Sequence, residues 1–437
     1  MHRKSPARRK ASKWVDRAAK SMTSPRVVTA LGNRLYARRH GERPPATPGP
    51  LEAIDPSKVK RILVVRLDEI GDSVLSVPFL RSLRRHFAEA RITLVVKSPV
   101  ANLLEPCPYF DELLVYDVYT SARWWEPLVR HARAFSFARR HLWKSRYDLA
   151  IMPRWGSDFY HSSLVMYLSG ARDRLGFSPQ AAGEKLALND NLERFYTATL
   201  AASGVKHEVE RNLDIVSALG GDATDTELEA WTTSPDEQWA ADKLSRLGSD
   251  PAEDLLVAIA PGAGLARRIW PLERWSEIAH WLRNDLGAKV VVVGGPSDAA
   301  SATDLERSAE SGIESVAGTA TLRQTQALLR SCNLLVANDA GPVHLAASVG
   351  VPVVCVSCHP LDGDVSHPNS PERFRPFGVP AAVVQPATAA AAGCSAGCKE
   401  LMPHCILGVS ESEVREAVAA LLDNGLARGS GASAYVG

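Results

Sequence analysis

A repeated alternation restricts the fold of this chain more than any other feature. Apolar runs of strand length end in turns rich in Gly, Pro or Asp, and segments with apolar residues at helical spacing follow. KRILVV, from Lys60, leads into SVLSVPFLRSLRRHF. RITLVVKS, DELLVYD and YDLAIMPR come next, with SSLVMYLSGA as a further helix. The pattern restarts at DLLVAIAPGAG and runs through PLERWSEIAHWLRNDLG, AKVVVVGGP, TLRQTQALLRSC, NLLVAND, AGPVHLAASVG and VPVVCVSCHP. Short runs that are apolar throughout read as strands buried on both faces, and strands alternating with helices pair in parallel. The expectation is an α/β chain with two doubly wound sheets in series and a cleft between them. The crossing lies between Gly220 and Asp254, where SPDEQWAADKLSRLG reads as a helix.

The length of 437 residues suits two domains, and 45% hydrophobic with 23% charged residues is ordinary for a globular chain. No apolar run approaches the roughly 18 residues that a membrane-spanning helix needs. The basic N-terminus has no apolar segment of the kind that follows in a secretion signal, so the expected location is cytoplasmic. The net charge of +2 conceals an asymmetry. Residues 1–50 hold thirteen Lys/Arg against two Asp/Glu, a net of +11, which leaves −9 for the remainder. Such an arm reads as a solvated, partly disordered extension, as an element attracted to anionic membrane, or as a nucleic-acid contact, the last least expected. ERPPATPGPLEAIDPSKVK then serves as a linker, and SESEVREAVAALLDNG forms a final amphipathic helix. Seven cysteines, an odd number, argue for reduced thiols. Cys394, Cys398 and Cys405, with His404 adjacent, have a spacing outside the common zinc patterns. They read as structural thiols, with a metal or redox role as the alternative.

Ligands of open α/β sheets bind outside the carboxyl ends of the strands, where the glycine-bearing turns of this chain fall. In RLDEIGDSVLSVP the Gly-x-Gly-x-x-Gly of a first phosphate-binding turn is missing. Gly71 and Asp72 stand there instead, and the carboxylate reads as a helix cap or as a base. APGAGLARRIWP offers Gly262, Ala263 and Gly264, whose N–H groups suit phosphate oxygens, followed by Arg267 and Arg268. The alternative is a turn with two solvated arginines. In VVVGGPSD, Asp298 caps the next helix or accepts from a ribose hydroxyl. NDAGPVHLAASVG carries the most information. Asn338 and Asp339 end a strand, Ala340 and Gly341 permit close backbone approach, and Pro342 suits a first helical turn whose free amides attract a diphosphate. His344 follows in the same turn.

Taken in order, these segments resemble the bacterial heptosyltransferases, the ADP-heptose:lipopolysaccharide family (glycosyltransferase family nine). The similarity runs over roughly residues 60–425. It includes YDLAIMPRWGSD, LSGARDRLGF and HEVERNLDIVSALG in the first half, and PGAG, RRIWPLERWSEIA, VVVGGPSD and NDAGPVHLAASVGVPVV in the second. The resemblance implies a GT-B architecture of two Rossmann-like doubly wound domains facing a central cleft. It divides the chain into a basic arm and linker (1–55), an acceptor-binding domain (56–225), a nucleotide-sugar-binding domain (226–408) and a C-terminal helix returning toward the first domain (409–437). It implies inverting transfer of a sugar, a heptose from ADP-heptose, to a hydroxyl of a glycan or glycolipid. Asp72 would be the base. Gly262, Ala263, Gly264, Arg268, Asp298, Asn338, Asp339, Ala340, Gly341 and His344 would hold the donor. No cofactor is required, although a divalent ion such as Mg could assist. Two departures stand out: the family's phosphate-contacting lysine is Arg268 here, and a Gly-Pro-Thr type turn is replaced by VSCHPLDGD, with Cys358 and His359. The rival readings are a transferase of the same fold using another nucleotide sugar, and a non-catalytic nucleotide-sugar-binding protein.

Overall fold

A computed structural model of the chain describes residues 25–42, 47–118, 126–158, 161–178, 181, 192–202, 204–308, 312–367, 369–391, 393–394 and 400–427. Among the described residues, twelve strands form two sheets. The first holds β1 (Arg61–Val65), β2 (Arg91–Val96), β3 (Glu112–Val115), β4 (Leu149–Met152), β5 (Asp173–Phe177) and β6 (Ala198–Leu200) in the order 3-2-1-4-5-6. The second holds β7 (Leu256–Ala260), β8 (Lys289–Val292), β9 (Ile313–Ser315), β10 (Leu334–Asn338), β11 (Val353–Val356) and β12 (Ala381–Val384). Its order, 12-11-10-7-8-9, is the same topology repeated. All the pairings are parallel. Strand order therefore reverses between β1 and β4 and again between β7 and β10, and an open α/β sheet forms its binding crevice at that point. This is the expected α/β architecture of two Rossmann-like sheets.

The apolar runs follow from double-sided burial. Ile62 and Val64 of β1 join one core, while Leu63 and Val65 join another on the opposite face. The core holding Ile62 also holds Leu256, Ala258 and Leu335 of the second sheet, so the facing helical layers of the two domains share one apolar interior. Polar contacts reinforce this junction: Arg323, on the Leu322–Arg330 helix, pairs with Glu105 at 3.0 Å and donates to Asn102 O at 3.0 Å.

Two expectations are corrected. Within the basic arm, Pro25–His40 is a helix docked on the first domain. Tyr36 is buried and its hydroxyl donates to Arg172 O at 3.3 Å, Arg39 donates to Ser169 O at 2.6 Å, and the Tyr167 hydroxyl donates to Asn33 Oδ1 at 2.7 Å. Its basic composition hid a docking face made of a few aromatic and amide contacts. Residues 1–24 lie outside the described residues, so the membrane and nucleic-acid readings of that stretch stay sequence expectations. The C-terminal helix, Glu411–Ala427, packs on β11, β12 and the Leu272–Asn284 helix of the second domain, because Val414 and Val418 are consumed by that domain's core. The segment that reaches the first domain is instead Ser370–Phe377, where Phe374 and Phe377 meet Leu75, Val209 and Leu213.

Candidate functional site

The turn after β1 builds one wall of the cleft. Chain leaving Val65 passes Arg66 and Asp68, both about 1% exposed, before the Ile70–Val74 helix begins. Asp72 sits at the third position of that helix and its carboxylate accepts the Glu69 N–H at 3.2 Å, closing a capping box. The cap reading is therefore correct as far as it goes, but the carboxylate is also part of a buried charge network. Arg66 faces Asp68 at 3.2 Å, Glu208 at 3.2 Å and Asp72 at 3.6 Å. Arg154, just beyond β4, pairs with Asp68. Glu208 accepts the Trp155 indole N–H at 2.5 Å and lies 3.9 Å from Arg373, whose guanidinium stacks 3.8 Å over the Trp155 ring. The network joins the ends of β1 and β4, the first turn of the Glu208–Ala218 helix and the segment arriving from the second domain.

These surroundings set the basicity of Asp72. Burial raises its pKa, Asp68 pushes the same way, and Arg66 and Arg154 oppose them. The balance lies at about 6, well above the ordinary aspartate value. Asp68, although buried, is held below its usual range because Arg66 and Arg154 outweigh its desolvation. The two neighbouring carboxylates thus diverge, and the raised one retains solvent contact, with 15% of its side chain exposed.

The opposite wall comes from the second domain. Asn338 ends β10 fully buried. It donates to Pro261 O at 2.5 Å and accepts the Trp270 N–H at 3.2 Å, tying the turn after β7 to the turn after β10. Asp339 holds Arg268 at 2.8 Å. Burial works against the Arg268 charge, but Asp339 more than compensates and the guanidinium stays firmly protonated. Trp270, also fully buried, anchors the arginine-bearing loop by donating to Val409 O at 3.0 Å. The Gly341–Ser348 helix starts at Ala340, and the amides of its first turn point out of the sheet's carboxyl edge. Asp298 accepts the Gly295 N–H at 2.8 Å, which is the capping role, and its carboxylate lies against Gly262 so closely that a Cβ there would come within 2.2 Å. Gly264, beyond it, has open space around it. Ala263 is partly exposed in the same turn.

The two walls touch at residues far apart in sequence. A Cβ on Gly71 would lie 2.4 Å from His344 Cδ2, and one on Gly341 would lie 3.2 Å from Ile70 Cβ. Two glycines thus let the Ile70–Val74 and Gly341–Ser348 helices approach across the cleft. His344 is 4% exposed, and burial lowers its pKa to about 4, so its ring is neutral at pH 7. It is a packed imidazole between the walls rather than a cation aimed at the opening. Of the residues named from the sequence, Gly341 and His344 meet the turn that carries Asp72, Asn338, Asp339 and Ala340 lead into the same helix with Arg268 held on Asp339, and Gly262 and Asp298 contact each other in the turns after β7 and β8. Arg66, Asp68, Arg154, Glu208 and Arg373 were missed as site residues. A legible signal existed for Arg66 and Arg154: each lies within two residues of the end of an apolar strand, at the carboxyl edge where charge is seldom structural filler.

Residues 136–396 match the family profile described as glycosyltransferase family 9 (heptosyltransferase). The lipopolysaccharide heptosyltransferase 2 of Salmonella typhimurium is 25% identical over 309 residues, covering 68% of this chain and 82% of its own length. Among solved structures, a glycosyltransferase family 9 protein from Veillonella parvula superposes with a TM-score of 0.65 at 24% identity, covering 86% of this chain and all of the other. The ADP-heptose lipopolysaccharide heptosyltransferase II of E. coli superposes with a TM-score of 0.59 at 20% identity, covering 83% and 99%. Both share the paired-sheet fold, which is that of GT-B heptosyltransferase structures.

Proposed function

The chain belongs to glycosyltransferase family 9 (heptosyltransferase), and from that premise we propose that it moves a heptose from ADP-heptose to a hydroxyl of a glycan or glycolipid acceptor, with inversion at the anomeric carbon. One observation carries the reading. The raised carboxylate of Asp72 and the amide-bearing start of the Gly341–Ser348 helix adjoin each other through the Gly71–His344 contact, so a base and a diphosphate site share one cleft. Asp72 takes the acceptor proton as the acceptor oxygen attacks the anomeric carbon. The bond from that carbon to the diphosphate breaks, and ADP leaves. A pKa of about 6 keeps Asp72 ionised at neutral pH while making it a stronger base than an ordinary aspartate. Arg268 and the amides from Ala340 onward stabilise the charge gathering on the leaving diphosphate. In this reading those groups suffice without a cofactor, and a divalent ion is accessory. Asp298 accepts the Gly295 N–H on one oxygen and the Ser297 hydroxyl on the other, and in this reading a ribose hydroxyl takes the place of the Ser297 hydroxyl. The first domain holds the acceptor, which is why its opening turn has no phosphate-binding glycines.

A thermal-shift screen against ADP-, GDP-, UDP- and dTDP-sugars tests the donor, because a ligand that binds only the folded state raises the melting temperature. ADP-heptose is expected to give the largest shift. Stabilisation by a UDP- or GDP-sugar alone would overturn the donor assignment. An Asp72→Ala variant is expected to keep that shift and lose transfer.

A further inference from the structure

The connection from β12 to the C-terminal helix carries a cluster that the transfer reaction does not use. Cys394, His404 and Cys405 place one sulfur, one imidazole nitrogen and one sulfur within 4.8 Å of one another. Cys394 Sγ and His404 Nε2 are 3.3 Å apart. Both cysteines are buried, and the Ala390 N–H points at Cys405 Sγ at 3.4 Å, the kind of donor that steadies a thiolate. Arg267, Cys358 and His359, from the donor-side loops, line the same small cavity. We infer that Cys394, His404 and Cys405 bind a soft divalent transition-metal ion, zinc by donor set, which staples the C-terminal connection to the loops behind Arg268.

The donor spacing fits with small shifts and one turn of the His404 ring. Zn–S bonds of about 2.3 Å and Zn–N bonds of about 2.0 Å at tetrahedral angles put sulfur and nitrogen about 3.5 Å apart and two sulfurs about 3.8 Å apart. Binding displaces one proton from each thiol, and the two thiolates balance the ion's charge, so the complex is neutral and tolerates burial beside Arg267. Metal on Nε2 places the imidazole proton on Nδ1, which turns the ring out of its present contact with the Cys405 N–H. Water or another side chain completes the fourth position. The spacing Cys-x10-Cys with His beside the second Cys matches no common finger pattern, so this site is defined by the fold rather than by a motif. Cys398 lies outside the described residues.

The test is elemental analysis of the full chain, purified without an affinity tag or chelator, followed by chelator stripping and titration with zinc and cobalt. One equivalent of zinc per chain is expected, with a thiolate-to-cobalt charge-transfer band on cobalt loading. A higher melting temperature with zinc than after stripping is also expected. Cys405→Ser and His404→Ala should each lose the metal and the band. If either variant fails to fold, alkylation of the unaltered chain decides: zinc should slow Cys405 modification at least tenfold. Substoichiometric metal with no band, or a disulfide between Cys394 and Cys405 found by mass spectrometry, would overturn the site. One equivalent of iron instead would overturn the assignment to zinc.

Discussion

Replacing Asp72 with Asn should stabilise the protein and abolish its transfer activity at the same time. With a folded-state pKa of about 6 against the ordinary 3.8, the ionised carboxylate carries a penalty approaching about 3 kcal/mol, at 1.36 kcal/mol per unit. Some solvent contact at the carboxylate makes that figure an upper bound. The sign follows from linkage. A group whose pKa is raised by folding stabilises the native state fully below its unfolded value, and that contribution is lost as the pH rises through about 6. Asn keeps the side-chain oxygen that accepts the Glu69 N–H, and Arg66 retains Asp68 and Glu208, so the substitution removes the penalty without stranding a partner. Thermal unfolding at pH 7.5 should therefore show the variant several degrees above the parent, with the gap closing toward pH 4. A proton-accepting side chain accounts for roughly 10²–10⁴ in rate, so transfer should fall by that factor. In the parent, kcat/KM should fall about tenfold per pH unit below about pH 6. Asp68→Asn removes a charge that raises the Asp72 pKa and should move this limb to lower pH. A variant less stable than the parent at pH 7.5, or one that transfers at the parent rate, would refute the reasoning.

Other consequences follow from the same contacts. Glu208→Gln leaves Arg66 and Arg373 buried without their shared carboxylate, and should cost roughly 3–5 kcal/mol in denaturant unfolding. Gly71→Ala places a Cβ 2.4 Å from His344, so it should force the two helices apart and lower kcat/KM by an order of magnitude or more, with both domains still folded by circular dichroism. Arg268→Ala should weaken ADP-sugar binding by roughly 10–100-fold in calorimetry, with Arg268→Lys recovering part of the loss because charge returns without the planar fork.

Most strands legible in advance share a trait: β1, β2, β4, β7, β8, β10 and β11 are largely apolar runs, because neighbours and helices bury both their faces, whereas β3, read from DELLVYD, is a partly exposed edge strand. Those not read were β5, β6, β9 and β12. β6, β9 and β12 are short edge strands of three or four residues, held by one neighbour and partly exposed. β5 lies inside the sheet but reads DRLGF. Its Arg174 is buried by donating to Phe195 O at 2.7 Å and Ala171 O at 2.8 Å, and it faces the Tyr36 and Tyr167 rings, partners that no window of sequence displays. The docked Pro25–His40 helix was hidden for the same reason.

By itself the sequence determined the local chemistry: two series of strands and helices, a carboxylate in the first turn, and an arginine and a helix start in the later turns. Such features depend on neighbours a few residues away. Tertiary structure alone decided that Gly71 meets His344, that Arg66, Glu208 and Arg373 converge behind Asp72, and that the final helix stays with the second domain. Those outcomes depend on the common apolar interior between the sheets and on charges brought together within it. The pKa of Asp72, and with it the chemistry of the cleft, is a property of that interior rather than of the turn that carries the residue.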